Sequence, residues 1–203
     1  DQSYFLYPIK KENLKFLLFP LGEFTKEEVI KIAEDIGLPN VYRPQSQDIC
    51  FISGDYRKFL IKKVDEFTPG EILDTRGNIL GKHRGIFFYT IGQRERLGIS
   101  ASSPFYVVSI DAYNNRIIVG KRKDLLAKGL VAQRINILVD NLPYKASAKI
   151  RYQHRPAVCF LYPQKDKMKV IFKEKQSAIT PGQSVVFYKK DTLLGGGVIT
   201  QAL

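Results

Sequence analysis

The last third of the chain is divided by turn residues into short apolar runs, and that pattern leaves few folds open. Runs at roughly 130–138, 145–152, 156–162, 168–173, 184–188 and 193–199 are strand-like, with Pro181-Gly182 and Lys189-Lys190-Asp191 among the turns between them. Lengths of five to nine residues bounded by such turns predict strands, not helices. Six strands laid flat would leave two unpaired edges, and closing the sheet removes both. Residues 129–203 are therefore expected to form a small six-stranded β barrel.

The β texture begins earlier, at about residue 68. Asp74-Thr75-Arg76-Gly77-Asn78 is a turn between Glu71-Ile72-Leu73 and Ile79-Leu80. Phe105–Asp111 and Arg116–Gly120 flank Tyr113-Asn114-Asn115, a good hairpin connection because Asn tolerates the left-handed backbone. Gly85-Ile86-Phe87-Phe88-Tyr89-Thr90-Ile91-Gly92 also reads as a strand, and residues 121–128 as a short helix or turn.

Residues 1 to about 62 read as α/β. Thr25-Lys26-Glu27-Glu28 has the spacing of a capping box. Val29, Ile32, Ala33 and Ile36 then recur on one helical face, Gly37 ends the helix, and Pro39 prevents its return. A second short helix is expected at about Tyr56 to Lys63. Together these readings predict an α+β chain in three parts: 1–62, 63–128 and 129–203.

A net charge of +12 favours a polyanionic partner. The charge is uneven, because residues 129–203 hold twelve Lys and Arg against four Asp and Glu. No window approaches 18 consecutive apolar residues, so no membrane-spanning helix and no membrane partner are expected. No signal segment opens the chain, and a cytoplasmic location is expected. The start at Asp1, without Met, suggests a piece of a longer protein. The two cysteines and two histidines match no close-spaced metal pattern.

Four stretches carry possible chemistry. Cys50 follows the polar loop Arg43-Pro44-Gln45-Ser46-Gln47-Asp48, where a thiol can be partly exposed and a nearby cation such as Arg43 can lower its pKa. Thiolates of that kind attack sulfur and carry persulfides, although a Cys between Ile49 and Phe51 is most often a small buried hydrophobe. Cys159, within Ala157-Val158-Cys159-Phe160-Leu161, reads as core. Lys149-Ile150-Arg151-Tyr152-Gln153-His154-Arg155 mixes cations with rings, suited to phosphates and unpaired bases, or else is a strand with one wet face. Arg94 and Arg96 follow Gly92-Gln93 and could contact an RNA backbone, or lie in a plain turn. Gly195-Gly196-Gly197 precedes no helix and is read as a bulged strand or turn, not a phosphate loop.

Eight motifs occur in order. They are Asp1-Gln2-Ser3-Tyr4-Phe5-Leu6, Leu18-Phe19-Pro20-Leu21-Gly22, Ser46-Gln47-Asp48-Ile49-Cys50-Phe51, His83-Arg84-Gly85, Tyr89-Thr90-Ile91-Gly92-Gln93-Arg94, Arg151-Tyr152-Gln153-His154, Thr180-Pro181-Gly182-Gln183 and Leu194-Gly195-Gly196-Gly197. In this order, and across essentially the whole chain, they resemble the MnmA (TrmU) family of tRNA-specific 2-thiouridylases. The resemblance implies a Rossmann-like ATP-pyrophosphatase domain, of which residues 1–62 are the carboxyl-terminal remnant, a small central β domain and a tRNA-binding β barrel. It implies that ATP, with Mg, adenylates the C2 oxygen of the wobble uridine in the tRNAs for Lys, Glu and Gln. It makes Cys50 the persulfide carrier, loaded by a sulfur-donor protein and discharged through a disulfide with a second cysteine absent here. Asp1 and Gln2, Arg151 and Tyr152, and Gln183 match tRNA-contacting positions.

The family's Ser-Gly-Gly-Val-Asp-Ser phosphate loop does not occur in the chain. The chain alone is accordingly expected to bind no cofactor and to be inactive, with thiolation a property of the full-length protein. The alternative is a non-catalytic RNA-binding β-barrel module with Cys50 inert. Methyl transfer finds no glycine-rich loop after a strand to hold S-adenosylmethionine.

Overall fold

The computed structural model describes residues 2–39, 41, 61, 67–100 and 103–203. Two compact units divide the chain: residues 1–12 with 66–203, and residues 13–65.

In the larger unit, the carboxyl-terminal strands close as expected. They are β5 (Leu126–Ile137), β6 (Lys145–Lys149), β7 (Ala157–Gln164), β8 (Lys167–Ser177), β9 (Ser184–Lys189) and β10 (Thr192–Ala202). Their order around the barrel is β10-β5-β8-β7-β6-β9, and every pairing is antiparallel. Alternation places Leu130 and Ala132, Ala146 and Ala148, Met168, Val170 and Phe172, and Val185 and Phe187 in one interior cluster. Each large side chain fully buried in this way contributes about 1.5–3 kcal/mol of transfer free energy. Cys159 is fully buried in the same cluster, as the sequence suggested, and burial pushes its thiol up to about 12.

The glycine run of β10 is part of the barrel wall. A side chain at Gly195 would meet the Asn136 carbonyl at 2.2 Å, and one at Gly197 would meet the Gln133 carbonyl at 2.8 Å. The strand register shifts on both sides of the run. The bulged-strand reading therefore holds.

The central sheet contains β1 (Gly70–Asp74), β2 (Ile79–His83), β3 (Tyr106–Asp111) and β4 (Arg116–Gly120), in the order β2-β1-β4-β3. β1 and β4 run parallel, while the two outer pairings are antiparallel. The Asn115 turn has φ +51°, as the hairpin reading required. The stretch 85–92 is a correction. Ile86–Phe88 is a single 3-10 turn between glycines of positive φ (Gly85 +143°, Gly92 +90°), so it cannot pair as a strand. The expected strand 145–152 likewise stops at Lys149, where the chain turns out of the barrel.

His83, from one of the eight motifs, is fully buried. Its Nδ1 accepts the Gly85 N–H at 3.1 Å, so the proton sits on Nε2, which donates to the Asn115 carbonyl at 3.0 Å. It pins β2 to the β3–β4 hairpin.

In the smaller unit, α2 (Lys26–Asp35) starts as the capping box predicts. Glu28 N–H donates to Thr25 Oγ1 at 3.2 Å, and the Glu28 carboxylate accepts the Thr25 N–H at 2.6 Å. That bond holds the Glu28 carboxyl below its ordinary range. Gly37 has φ +68° and closes the helix. The helix expected at 56–63 falls almost wholly outside the described residues.

Candidate nucleic-acid interface

Strand β9 shows how the first residues of the chain reach the barrel. Val185 and Phe187 point into the barrel core, yet Val186 and Tyr188, on the outer face, are buried too. Their cover is the short helix α1 (Ser3–Leu6) and the turn after it, through Tyr4 and Tyr7. Phenols suit such a place, because the ring packs while the hydroxyl keeps a partner. Tyr4 donates to the Ser184 carbonyl at 2.9 Å, and Ser184 Oγ donates to Tyr7 Oη at 3.0 Å. Burial, with Tyr7 beside it, pushes the Tyr4 phenol up to about 12. Asn136 donates both amide hydrogens, to the carbonyls of Tyr7 (2.6 Å) and Ile9 (2.8 Å). Gly196 completes the fit, since a Cβ there would stand 2.7 Å from the Tyr7 ring.

This docking gathers three of the expected RNA-contacting residues. Gln2 precedes α1, and its side chain does not cap the helix. Tyr152, in the loop after β6, meets the ring of Phe5 at 4.9 Å and 34°. Phe5 and Tyr152 both remain exposed, at 58% and 39%. Lys149 Nζ lies 5.7 Å from the Tyr152 ring. Gln183 is exposed and immediately precedes Ser184, the anchor of Tyr4. The result is a pair of exposed aromatic rings beside a lysine, with Gln2 and Gln183 each next in sequence to a residue of the α1–β9 docking. Such a surface can stack an unpaired base and hydrogen-bond its edge.

Arg151, next to Tyr152, directs its guanidinium elsewhere, with Nη2 3.4 Å from the Ser177 carbonyl. His154 has a buried Nδ1 without a hydrogen-bond partner among the described residues. Burial and the Arg151 charge lower its pKa, so at neutral pH it adds no charge to the loop. Asp1 and Cys50, both expected site residues, lie outside the described residues.

Sequence reasoning missed Phe5 as the ring in contact with Tyr152 and Asn136 as the clamp on residues 7–9. One signal was available. Val185-Val186-Phe187-Tyr188 is an unbroken apolar run, and a strand without alternation is covered on both faces. The run does not say what covers it.

Among the described residues, no cluster of three or more His, Cys, Asp or Glu is arranged to hold a metal. No described helix is long and apolar enough to cross a membrane.

Three family models match the chain in succession. Residues 1–54 match a tRNA methyl transferase HUP domain, residues 57–121 a tRNA methyl transferase PRC-barrel domain, and residues 127–199 an aminomethyltransferase beta-barrel domain. The chain is 48% identical over 204 residues to a protein of Syntrophus aciditrophicus named tRNA-specific 2-thiouridylase MnmA 1, covering 100% of this chain and 55% of that protein. It is 48% identical over 205 residues to the tRNA-specific 2-thiouridylase MnmA of Acetivibrio thermocellus, covering 98% and 57%. With the MnmA of Carboxydothermus hydrogenoformans the identity is 44% over 209 residues, covering 100% and 57%. The chain thus spans little more than half the length of these curated relatives.

Proposed function

We propose a function from the premise that the chain belongs to the MnmA family of tRNA-specific 2-thiouridylases. In the whole protein, this chain supplies the tRNA-binding barrel, the central β domain and the cysteine that carries sulfur. Residues 1–62 then belong to the catalytic domain, 63–128 to the central domain and 129–203 to the barrel. The observation that carries the reading is the exposed Phe5–Tyr152 ring pair, with Lys149 Nζ 5.7 Å from the Tyr152 ring and Arg151 next to Tyr152 in the chain. The pair can hold an unstacked base of an anticodon arm, while Arg151 meets phosphate and Gln2 and Gln183 meet base or sugar edges.

Cys50 is the sulfur carrier in this reading. A donor protein loads it as a persulfide. The terminal sulfur would attack C2 of the wobble uridine, and the C2–O bond would break with the oxygen leaving on AMP, which ATP would supply in the whole protein. The S–S bond to Cys50 then breaks as a second cysteine of the whole protein attacks Sγ, giving a disulfide. Cys159 is unsuited to the role, because a buried thiol pushed up to about 12 offers almost no thiolate at neutral pH. ATP and Mg belong to the reading as requirements of the whole protein. The glycine run does not fit a phosphate. Gly195–Gly197 face the carbonyls of Asn136, Val185 and Gln133 inside paired strands. No ATP step is assigned to them. The tRNAs for Lys, Glu and Gln are the expected substrates, and the cytoplasm the expected location.

Two measurements test this function. In the whole protein, Cys50→Ser should abolish 2-thiouridine formation while leaving tRNA binding intact; full thiolation by that variant would end the sulfur-carrier reading. A sulfur donor followed by a thiol-reactive probe should label Cys50 and spare Cys159. No label on Cys50 would favour a non-catalytic RNA-binding barrel.

A further inference from the structure

Three clefts on the larger unit share arginines. One, of about 420 Å³, is lined by Arg94 from the loop before β3, Arg122 from the 3-10 turn between β4 and β5, and Arg151 from the loop after β6. Arg94 also lines a second cleft, with Arg96, and Arg151 also lines a third, with Arg155 and Lys173. Because each neighbouring pair shares a residue, the three form one continuous band. Among the described residues, the sole carboxylate lining any of them is Glu174. Among the described residues the ion pairs are Lys11–Asp140 and Arg116–Glu71, and neither involves a cation of the band. Unpaired arginines gathered in this way repel one another, and a bound polyanion relieves that repulsion.

The backbone holds the middle cleft in place. Gly92 N–H donates to the Val107 carbonyl at 2.8 Å, and Ala178 N–H donates to the Leu125 carbonyl at 3.0 Å. Gly92 has φ +90°, and a Cβ on it would stand 3.2 Å from Ala178 Cβ. The turn from the central sheet and the end of β8 therefore meet closely, so Arg94, Arg122 and Arg151 are presented by anchored segments.

We propose that this band is the track for the RNA backbone, with Arg94 and Arg122 binding phosphates on one side of Arg151, and Arg155 and Lys173 binding them on the other. The proposal rests on the tRNA-binding reading above and extends it to residues that none of the matched contact positions includes. A single small anion would need one cleft, whereas three clefts in series suit a chain of phosphates. Guanidinium forks match phosphate oxygens bidentately. The band also runs through Arg151 to the neighbouring Tyr152 and its partner Phe5, where bases can stack while the backbone follows the arginines. An acidic peptide offers no such bases.

The test uses the full-length protein and unmodified tRNA, with binding measured from low to moderate salt. Arg94→Gln and Arg122→Gln should each weaken binding several-fold and flatten the salt dependence by about one released counterion. Lys165→Gln, an exposed charge in the β7–β8 turn outside the band, should do neither, and melting curves should match for all three. Wild-type affinity and slope in both arginine variants, alongside a loss in Arg151→Ala, would overturn the band and leave the tRNA-binding reading standing. No loss in Arg151→Ala either would sink that reading itself. An equal loss in Lys165→Gln would reduce the effect to net charge and overturn the band as well.

Discussion

Residues 2–12 and 13–39 are neighbours along the chain, and both are rich in leucine, isoleucine and aromatic rings, yet they behave differently. The first segment buries Tyr4 and Tyr7 against β9. The second leaves Leu18 at 88% exposure and Phe16 at 73%, and helix α2 buries none of its residues. Apolar content does not account for the difference. The first segment has a surface made to receive it, with glycine where a ring must approach, Asn136 to satisfy its carbonyls and Ser184 for its phenols. The second has its local structure, a complete capping box, without a matching surface among the described residues of its own unit. Local signals make an element, and complementarity buries it.

Substitutions in the core and on the open face give the widest contrast. Phe172→Ala empties a fully buried site in the barrel and should cost about 3–5 kcal/mol. Phe19→Ala in the same chain should stay within about 0.5 kcal/mol. Chemical denaturation would measure both, and equal costs would show that the second segment is packed after all.

Two glycines sharpen the comparison at a smaller scale. Gly196→Ala brings a Cβ within 2.6 Å of the Val185 carbonyl and 2.7 Å of the Tyr7 ring, and should cost about 1–3 kcal/mol. Amide exchange should then speed up over residues 3–9. Gly37→Ala meets nothing within 4 Å but keeps φ +68°, so its cost should be about 1 kcal/mol and confined to the end of α2. Unchanged exchange at residues 3–9 in the first variant would mean that Tyr7 does not depend on Gly196.

The effects in pH carry opposite signs. Cys159 and Tyr4 both have folded pKa values raised by burial, to about 12. Their contribution is complete below about pH 9, where both are neutral folded and unfolded. It declines as the unfolded chain ionises first, and is lost as pH rises through about 12. Glu28 has a lowered pKa, so its support of α2 is present at neutral pH and lost as pH falls through the carboxylate range. Alkaline titration should therefore weaken the barrel unit, and acid titration should weaken α2 together with the Asp74 and Asp111 turns, whose carboxyls Asn78 and Asn114 also hold below their ordinary range. An alkaline loss unchanged in Cys159→Val and Tyr4→Phe would remove those two groups from the account.

Much of the fold was legible in the order of residues, because its causes are local. The capping box of α2, the Asn115 hairpin, the six barrel strands and the core position of Cys159 all follow from patterns within a dozen residues. The stretch 85–92 failed because apolar content was read as a strand while its bounding glycines adopt positive φ and break the pairing. What the sequence could not supply was juxtaposition. Phe5 lies 147 positions before Tyr152, and Arg94, Arg122 and Arg151 come from three separate loops. Such meetings depend on how the barrel closes and where the first residues dock, and no short-range pattern of polarity or backbone preference encodes either. The sequence determined which elements form and which residue types are available. Tertiary packing alone decided which rings stand open beside which cations, because those distances are set by contacts between parts of the chain far apart in sequence.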